Sequence, residues 1–286
     1  MDQTDRPNQK DAEALAEIFA ELDGLIGLDE VKAQVRKTVN LIELGKAREK
    51  AGMPPLELTH HMVFTGHPGT GKTTVARIVG RIYKDIGLLK SGHLVEAERK
   101  DLVAEYIGQT ARKTKEVIDR AVDGVLFIDE AYSLGPVNVP NDFGNEAILT
   151  LVAEMEENRG RLVVIVAGYR EEMEHMIGLN PGLKSRFKTI IDFQDYSPGD
   201  LFKILAHMAS VAGNRFSPEA MNAASLLMES LDTGKKGFGN GRTVRTIFEE
   251  ILARQGERLA GSGGKKVDVT IFEKEDIPEK GQMKFV

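Results

Sequence analysis

The chain has 286 residues, 41% hydrophobic and 29% charged, long enough to bury a sizeable core and ordinary in composition for a soluble globular protein. A net charge of −6 gives no global attraction for phosphate backbones and argues against a dedicated duplex-binding protein, leaving only a local basic patch open. The lack of cysteine excludes disulfides and thiolate metal sites and makes the cytoplasm the default location. No apolar run is long enough to span a bilayer, and the acidic, polar start is not a secretory signal.

Residues 1–10 are polar and expected to fray. From Asp11 to Gly52 the pattern is helical: Ala14, Ile18 and Leu22 recur at spacing four, followed by Val31, Val35, Val39 and Ile42. GLIG at 24–27 separates two helices, and PP at 54–55 ends the second. Short apolar runs then alternate with amphipathic stretches. The runs are HMVFTG (61–66), GHLVEA (92–97), GVLFIDEA (124–131), LVVIVAGY (162–169) and TIIDF (189–193). Helical patterns lie near 71–86, 109–122, 144–157 and 171–177. Strands apolar almost throughout, with helices between them, predict an α/β fold with a parallel sheet covered on both faces. DYSPGD (195–200) punctuates the chain. Beyond it 199–213, 217–231 and 242–260 read as helices, with SPE at 217–219 a helix start and VDVTIF a short strand. The expected organisation is an extension (1–23), an α/β domain (24–196) and a helical domain with a short tail (197–286).

GHPGTGKT (66–73) follows an apolar strand and opens an amphipathic helix. Gly66, Gly69 and Gly71 let the backbone wrap a phosphate, with amides and the helix dipole facing the charge, and His67, Pro68, Thr70 and Thr74 complete the candidate nucleotide-binding stretch. Lys72 would reach the β- and γ-phosphates of ATP, and the Thr73 hydroxyl would ligate Mg²⁺. A chance glycine-rich turn is the bland alternative, and the strand and helix in register speak against it. In GVLFIDEA a buried strand ends in two acids. Asp129 would hold Mg²⁺ and Glu130 would act as general base toward the attacking water. Taken alone, the two acids also suit a polar strand end.

Together with GHLVEAERKDLVAEYIGQTARKTKEVID, VVIVAGYREEM and NPGLKSRF, these motifs resemble the AAA+ ATPases, and their wording is similar to the CbbX/CfxQ/SpoVK branch. That branch includes red-type Rubisco activases, a sporulation protein and a mycobacterial type VII secretion ATPase. The resemblance runs from about Leu25 to about Arg245. It implies a P-loop NTPase fold with five parallel strands in the order 5-1-4-3-2, a small helical lid and a homo-oligomeric ring of six subunits. It further implies that Ile26 and Gly27 flank adenine and that Arg242, rather than Arg245, reaches a γ-phosphate from the lid. Arg186 would be a finger supplied to the neighbouring subunit's nucleotide, and Tyr106, Ile107 and Gly108 a pore loop that grips a threaded polypeptide. A core tyrosine, a turn glycine and solvated arginines are the plain alternatives for these positions. Gly168 and Tyr169 stand where relatives carry the polar residue called sensor 1, so that role is left unassigned.

His60 and His61 lack partners at ligand spacing, read as edge or surface histidines, and suggest no transition metal. The leading expectation is an ATP-driven remodeller of a client protein, with Rubisco as one named client and no membrane partner. A nucleic-acid-coupled loader and a nucleotide-switch scaffold are the rivals from other classes. The acidic balance and the Tyr-Ile-Gly triplet weigh against the loader.

Overall fold

The computed structural model describes residues 9–106, 108–135, 143–235, 237–261, 268–279 and 281. The chain forms two compact units, 1–66 with 72–193, and 67–71 with 194–286.

The first unit runs α1 (Gln9–Gly24), α2 (Asp29–Lys50), β1 (Met62–Gly66), α3 (Lys72–Asp85), β2 (Leu94–Ala97), α4 (Arg99–Leu102), α5 (Thr110–Ala121) and β3 (Val125–Ile128). A 3₁₀ turn (Ala131–Leu134), α6 (Gly144–Glu157), β4 (Val163–Gly168), α7 (Arg170–Leu179), α8 (Pro181–Arg186) and β5 (Thr189–Phe193) complete it. The five strands pair in the order β2-β3-β4-β1-β5, all parallel, as the resemblance implies. Alternate side chains feed two cores. Met62, Phe64, Phe127 and Ile165 pack with α1, α2 and α3, whereas Val63, Leu126, Val164 and Val166 pack with α5, α6, α7 and α8. Burial on both faces explains why these strands read as unbroken apolar runs. α1, expected within an extension, buries Ile18 and Leu22 in the first of these cores.

The second unit contains α9 (Pro198–Val211), β6 (Arg215–Phe216), α10 (Pro218–Glu229), α11 (Gly241–Gly261), β7 (Ile271–Phe272) and a 3₁₀ turn (Lys274–Asp276). Its core gathers Leu201, Leu205, Ala224, Met228, Ile247 and Phe272. The SPE signature behaves as its chemistry demands. Proline opens α10 where its missing N–H costs nothing, and the Ser217 hydroxyl accepts from Ala220 N at 3.2 Å. Ser197 caps α9 in the same way. β7 arises within VDVTIF and pairs in parallel with β6, which sequence reading missed. Among the described residues no helix is long and apolar enough to cross a membrane.

Candidate nucleotide site

In a parallel sheet every strand delivers its C-terminal residue to one edge, where open α/β sheets place their ligands. β1 delivers Gly66 and β3 delivers Asp129 to that edge. Gly66 has φ 137, and a Cβ there would lie 2.3 Å from the Phe193 carbonyl oxygen, so the chain turns away only with glycine. Lys72 starts α3 and is only 8% exposed, with Nζ donating to Gly66 O at 2.8 Å, and Thr73 is half-buried beside it. Thr74 is exposed one residue further along the helix.

Asp129 N donates to Ala97 O at 2.9 Å, fixing the carboxylate at the strand tip, and Asp129 Oδ1 accepts from Glu130 N at 3.0 Å. Glu130 is exposed and takes left-handed backbone angles, φ 47 and ψ 39. A non-glycine residue adopts that conformation at a cost, and such strain concentrates at functional sites. Here it turns the chain directly from β3 into the 3₁₀ turn, leaving the carboxylate in solvent at the same edge as Lys72.

Residues 67–71 belong to the second unit. Gly69 and Gly71 have φ of 72 and 95, and a Cβ on Gly69 would lie 2.1 Å from Gly239 O. Thr70 is fully buried, its Oγ1 donating to His67 O at 2.8 Å and its carbonyl accepting from the Tyr196 hydroxyl at 3.3 Å. His67 Nδ1 lies 2.9 Å from both carboxylate oxygens of Asp195. The Gly241 amide donates to Gly69 O at 3.1 Å, which brings the start of α11 against the loop. Arg242 is exposed in the first turn of α11, and Arg245 is exposed one turn on. Gly66, where no Cβ fits, and the buried Lys72 suit a phosphate. The Thr73 hydroxyl and the Asp129 carboxylate are the hard oxygen donors that suit Mg²⁺.

Gly27 and Leu28 both have φ 61, so the segment before α2 is a tight left-handed turn with Ile26 half-buried in it. Lys32 Nζ donates to Leu25 O at 2.6 Å and braces that turn. Tyr106 is 68% exposed between α4 and α5, and Gly108 follows with φ 77 and open space around it. Ile107 lies outside the described residues. Tyr169 caps the N-terminus of α7 with its ring 6.0 Å from that of Tyr132. A Cβ on Gly168 would lie 2.6 Å from Tyr132, so glycine there makes room for the ring.

Arg186 ends α8, a helix opened by Pro181 and capped by Asn180, whose Oδ1 accepts from Leu183 N at 3.2 Å. Its guanidinium donates to Glu156 Oε2 at 3.0 Å and to Gly182 O at 3.3 Å, while Nε is buried without a partner among the described residues. It lines a cleft of about 200 Å³ with Glu57, His60, His61, Arg159 and Lys188. His61, expected at an edge or on the surface, is buried directly before β1. Its Nδ1 accepts from Val164 N at 3.0 Å, and the ring packs on Phe187. Burial, then His60 and Arg186, push its pKa down to about 4.

Sequence reading passed over Asn240, Asp195, Glu156 and Tyr132. Only Asn240 left a signal, since its place between two glycines marks a left-handed turn that asparagine tolerates.

A parallel sheet with Gly66, Lys72 and an acidic strand tip at one edge, in a chain that carries GHPGTGKT, is that of a P-loop nucleotide-binding ATPase. The AAA family, described as ATPases associated with various cellular activities, matches residues 62–195, and the AAA lid domain matches 197–285. Stage V sporulation protein K of Bacillus subtilis is 41% identical over 269 residues, covering 93% of this chain and 83% of the relative. Protein CfxQ of Xanthobacter flavus is 45% identical over 249 residues, 87% of this chain and 78% of the relative. Protein CbbX of Cereibacter sphaeroides is 43% identical over 265 residues, 91% and 85%. A solved RuvB mutant from Thermotoga maritima shares the fold, with TM-score 0.58 and 18% identity over 89% of this chain and 69% of that one. The chain belongs to the CbbX/CfxQ/SpoVK family of AAA+ ATPases and is an ATP-hydrolysing enzyme.

Proposed function

We propose that this ATPase assembles into a six-membered ring and uses hydrolysis to remodel a client protein drawn past the Tyr106–Gly108 loop. In this reading residues 24–196 form the nucleotide domain and 197–286 the lid, with Ile26 and Gly27 beside adenine. Lys72 neutralises the β- and γ-phosphates, and Arg242 approaches the γ-phosphate from α11. Thr73 and Asp129 would hold Mg²⁺, which neutralises developing charge on the phosphate oxygens. Glu130 orients a water for in-line attack and takes its proton, as the bond from the γ-phosphorus to ADP breaks. The exposed Tyr106 ring offers apolar area that accepts many side chains.

The observation that carries assembly is the location of Arg186. Its cleft is lined by His61 and Leu162, which precede β1 and β4, so it lies at the N-terminal edge of the sheet. Gly66 and Lys72 lie at the opposite edge, beyond the five residues of β1. At roughly 3.3 Å per residue the strand alone separates them by about 13 Å or more. An arginine at that edge serves a neighbour's ATP more readily than its own, and such a finger is worth about a thousandfold in turnover.

The test mixes two inactive variants, Arg186→Ala and Lys72→Ala. Each heterologous interface that pairs an intact site with an intact finger should hydrolyse ATP, so an equal mixture recovers up to about a quarter of wild-type turnover. No recovery, with both variants assembling, would exclude action in trans. Running the wild-type assay with ribulose bisphosphate and inhibited red-type Rubisco addresses the client. Stimulation by both assigns the activase role, and no response points to another protein.

A further inference from the structure

Asn240 is 0% exposed, sits at φ 47 immediately before α11, and has both ends of its carboxamide engaged. Its Oδ1 accepts from Tyr196 N at 2.9 Å. Its Nδ2 donates to Asp195 Oδ1 at 2.7 Å, with longer approaches of 3.4 Å to Pro68 O and Phe238 O. The same Asp195 carboxylate holds His67 on the phosphate loop. Two further ties run in parallel, from Gly241 N to Gly69 O and from the Tyr196 hydroxyl to Thr70 O.

The residue type follows from these demands. The position needs a donor toward a carboxylate and an acceptor from a main-chain N–H at once, which excludes aspartate and every apolar side chain. It also needs left-handed backbone angles, which asparagine visits more readily than glutamine. A Cβ on Gly69 would lie 2.1 Å from Gly239 O and 2.9 Å from Arg242 N, so the loop and the start of α11 are packed main chain to main chain and cannot slide past one another without breaking these bonds.

We propose that Asn240 is a positioning residue for ATP, fastening the phosphate-binding loop to the first turn of the helix that carries Arg242. The loop is thereby shaped before nucleotide arrives, and its displacement on binding is passed to α11 through this side chain together with the two parallel ties. Preorganised amides bind phosphate without the cost of ordering the loop. The proposal rests on the loop binding ATP and is independent of the ring and of the client.

Asn240→Asp tests it. The change keeps size, tolerates the left-handed backbone and retains an acceptor for Tyr196 N, but sets a carboxylate oxygen against Asp195. Adding Asp195→Asn in the same chain reverses the donor and acceptor, while the new amide oxygen still accepts from His67. We expect Asn240→Asp to weaken binding of a fluorescent ADP analogue about tenfold or more, the loss of one hydrogen bond to a charged group. KM for ATP should rise by a similar factor and kcat should change less. Amide exchange at 67–71 without nucleotide should accelerate, and the double variant should regain both affinity and protection. Wild-type affinity in Asn240→Asp overturns the proposal. So does a double variant that recovers its unfolding temperature without recovering affinity. If neither chain folds, Asn240→Gly, suited to the same backbone angles, decides on the same two readouts. Faster exchange with weaker binding supports the proposal, and wild-type values reject it.

Discussion

His61 and Lys72 are both buried ionisable groups, and the difference between them shows what residue identity alone can reveal. Lys72 sits on a spacing of glycines whose chemistry has one common purpose, so the role proposed for it is suggested directly by GHPGTGKT. A histidine before a strand carries no such context. Only the fold shows that Val164 N donates to it and that Arg186 shares its cleft. Its folded pKa, held down at about 4 by burial, His60 and Arg186, lies below the ordinary 6.5. Between those values the unfolded chain binds the extra proton, so stability rises with pH there and falls as pH drops from about 6.5 toward 4. The term is worth about 3 kcal/mol at most. His60, also lowered by burial, adds in the same direction, while Glu57, Glu156, Arg159 and Lys188 complete the charged lining. His61→Asn keeps an acceptor near Nδ1 and does not titrate. Urea midpoints at pH 5 and 7.5 should therefore differ less in the variant than in wild type. Equal differences would show that His61 is not a source of the acid sensitivity.

Elements were legible where periodicity had room to declare itself. The five strands of the sheet stood out as apolar runs because both faces are buried, and the helices α1 to α3, α5 to α7 and α9 to α11 span enough residues for a period of 3.6 to stand out. α4, α8, β6 and the 3₁₀ turns are six residues or fewer, lack a continuous apolar run, and are fixed by partners distant in sequence. The close of the second unit is an example. Asp276, fully buried, accepts from Arg258 Nε and Nη2 at 2.8 Å each, and its Oδ2 also accepts from Glu273 N at 2.8 Å. Arg258 and Gln255 donate further to Ile271 O, so α11 grips both β7 and the turn after it. Nothing in KEDIPE announces that staple. Asp276→Ala should destabilise this unit by about 1–3 kcal/mol, because the part-buried Arg258 guanidinium and the Glu273 amide lose a buried acceptor. Denaturation followed by a probe on α11 checks this. A loss below about 1 kcal/mol would mean that water replaces the carboxylate.

Across the whole molecule, Lys72 and Arg186 lie toward opposite edges of one sheet, and under the proposed ring each chain would carry half of two sites. Strand order and finger came into view through the family wording rather than through patterning, because no periodicity encodes which strands become neighbours. The wording gave no sign of Glu156, which holds Arg186 at 3.0 Å in the isolated chain. A neighbour's phosphates would compete with that carboxylate for the same guanidinium. Glu156 is 61% exposed, which places the pair among ion pairs worth about 0–1 kcal/mol and limits the restraint to about fivefold. Glu156→Gln should therefore lower the protein concentration giving half-maximal ATPase by about two- to fivefold, with turnover at saturating protein nearly unchanged. The same change in an Arg186→Ala background should have no effect, since the restrained group is gone. A rise in the required concentration would instead mean that Glu156 aims Arg186 toward the neighbour. The isolated chain would then hold its finger in the geometry that the assembled ring uses.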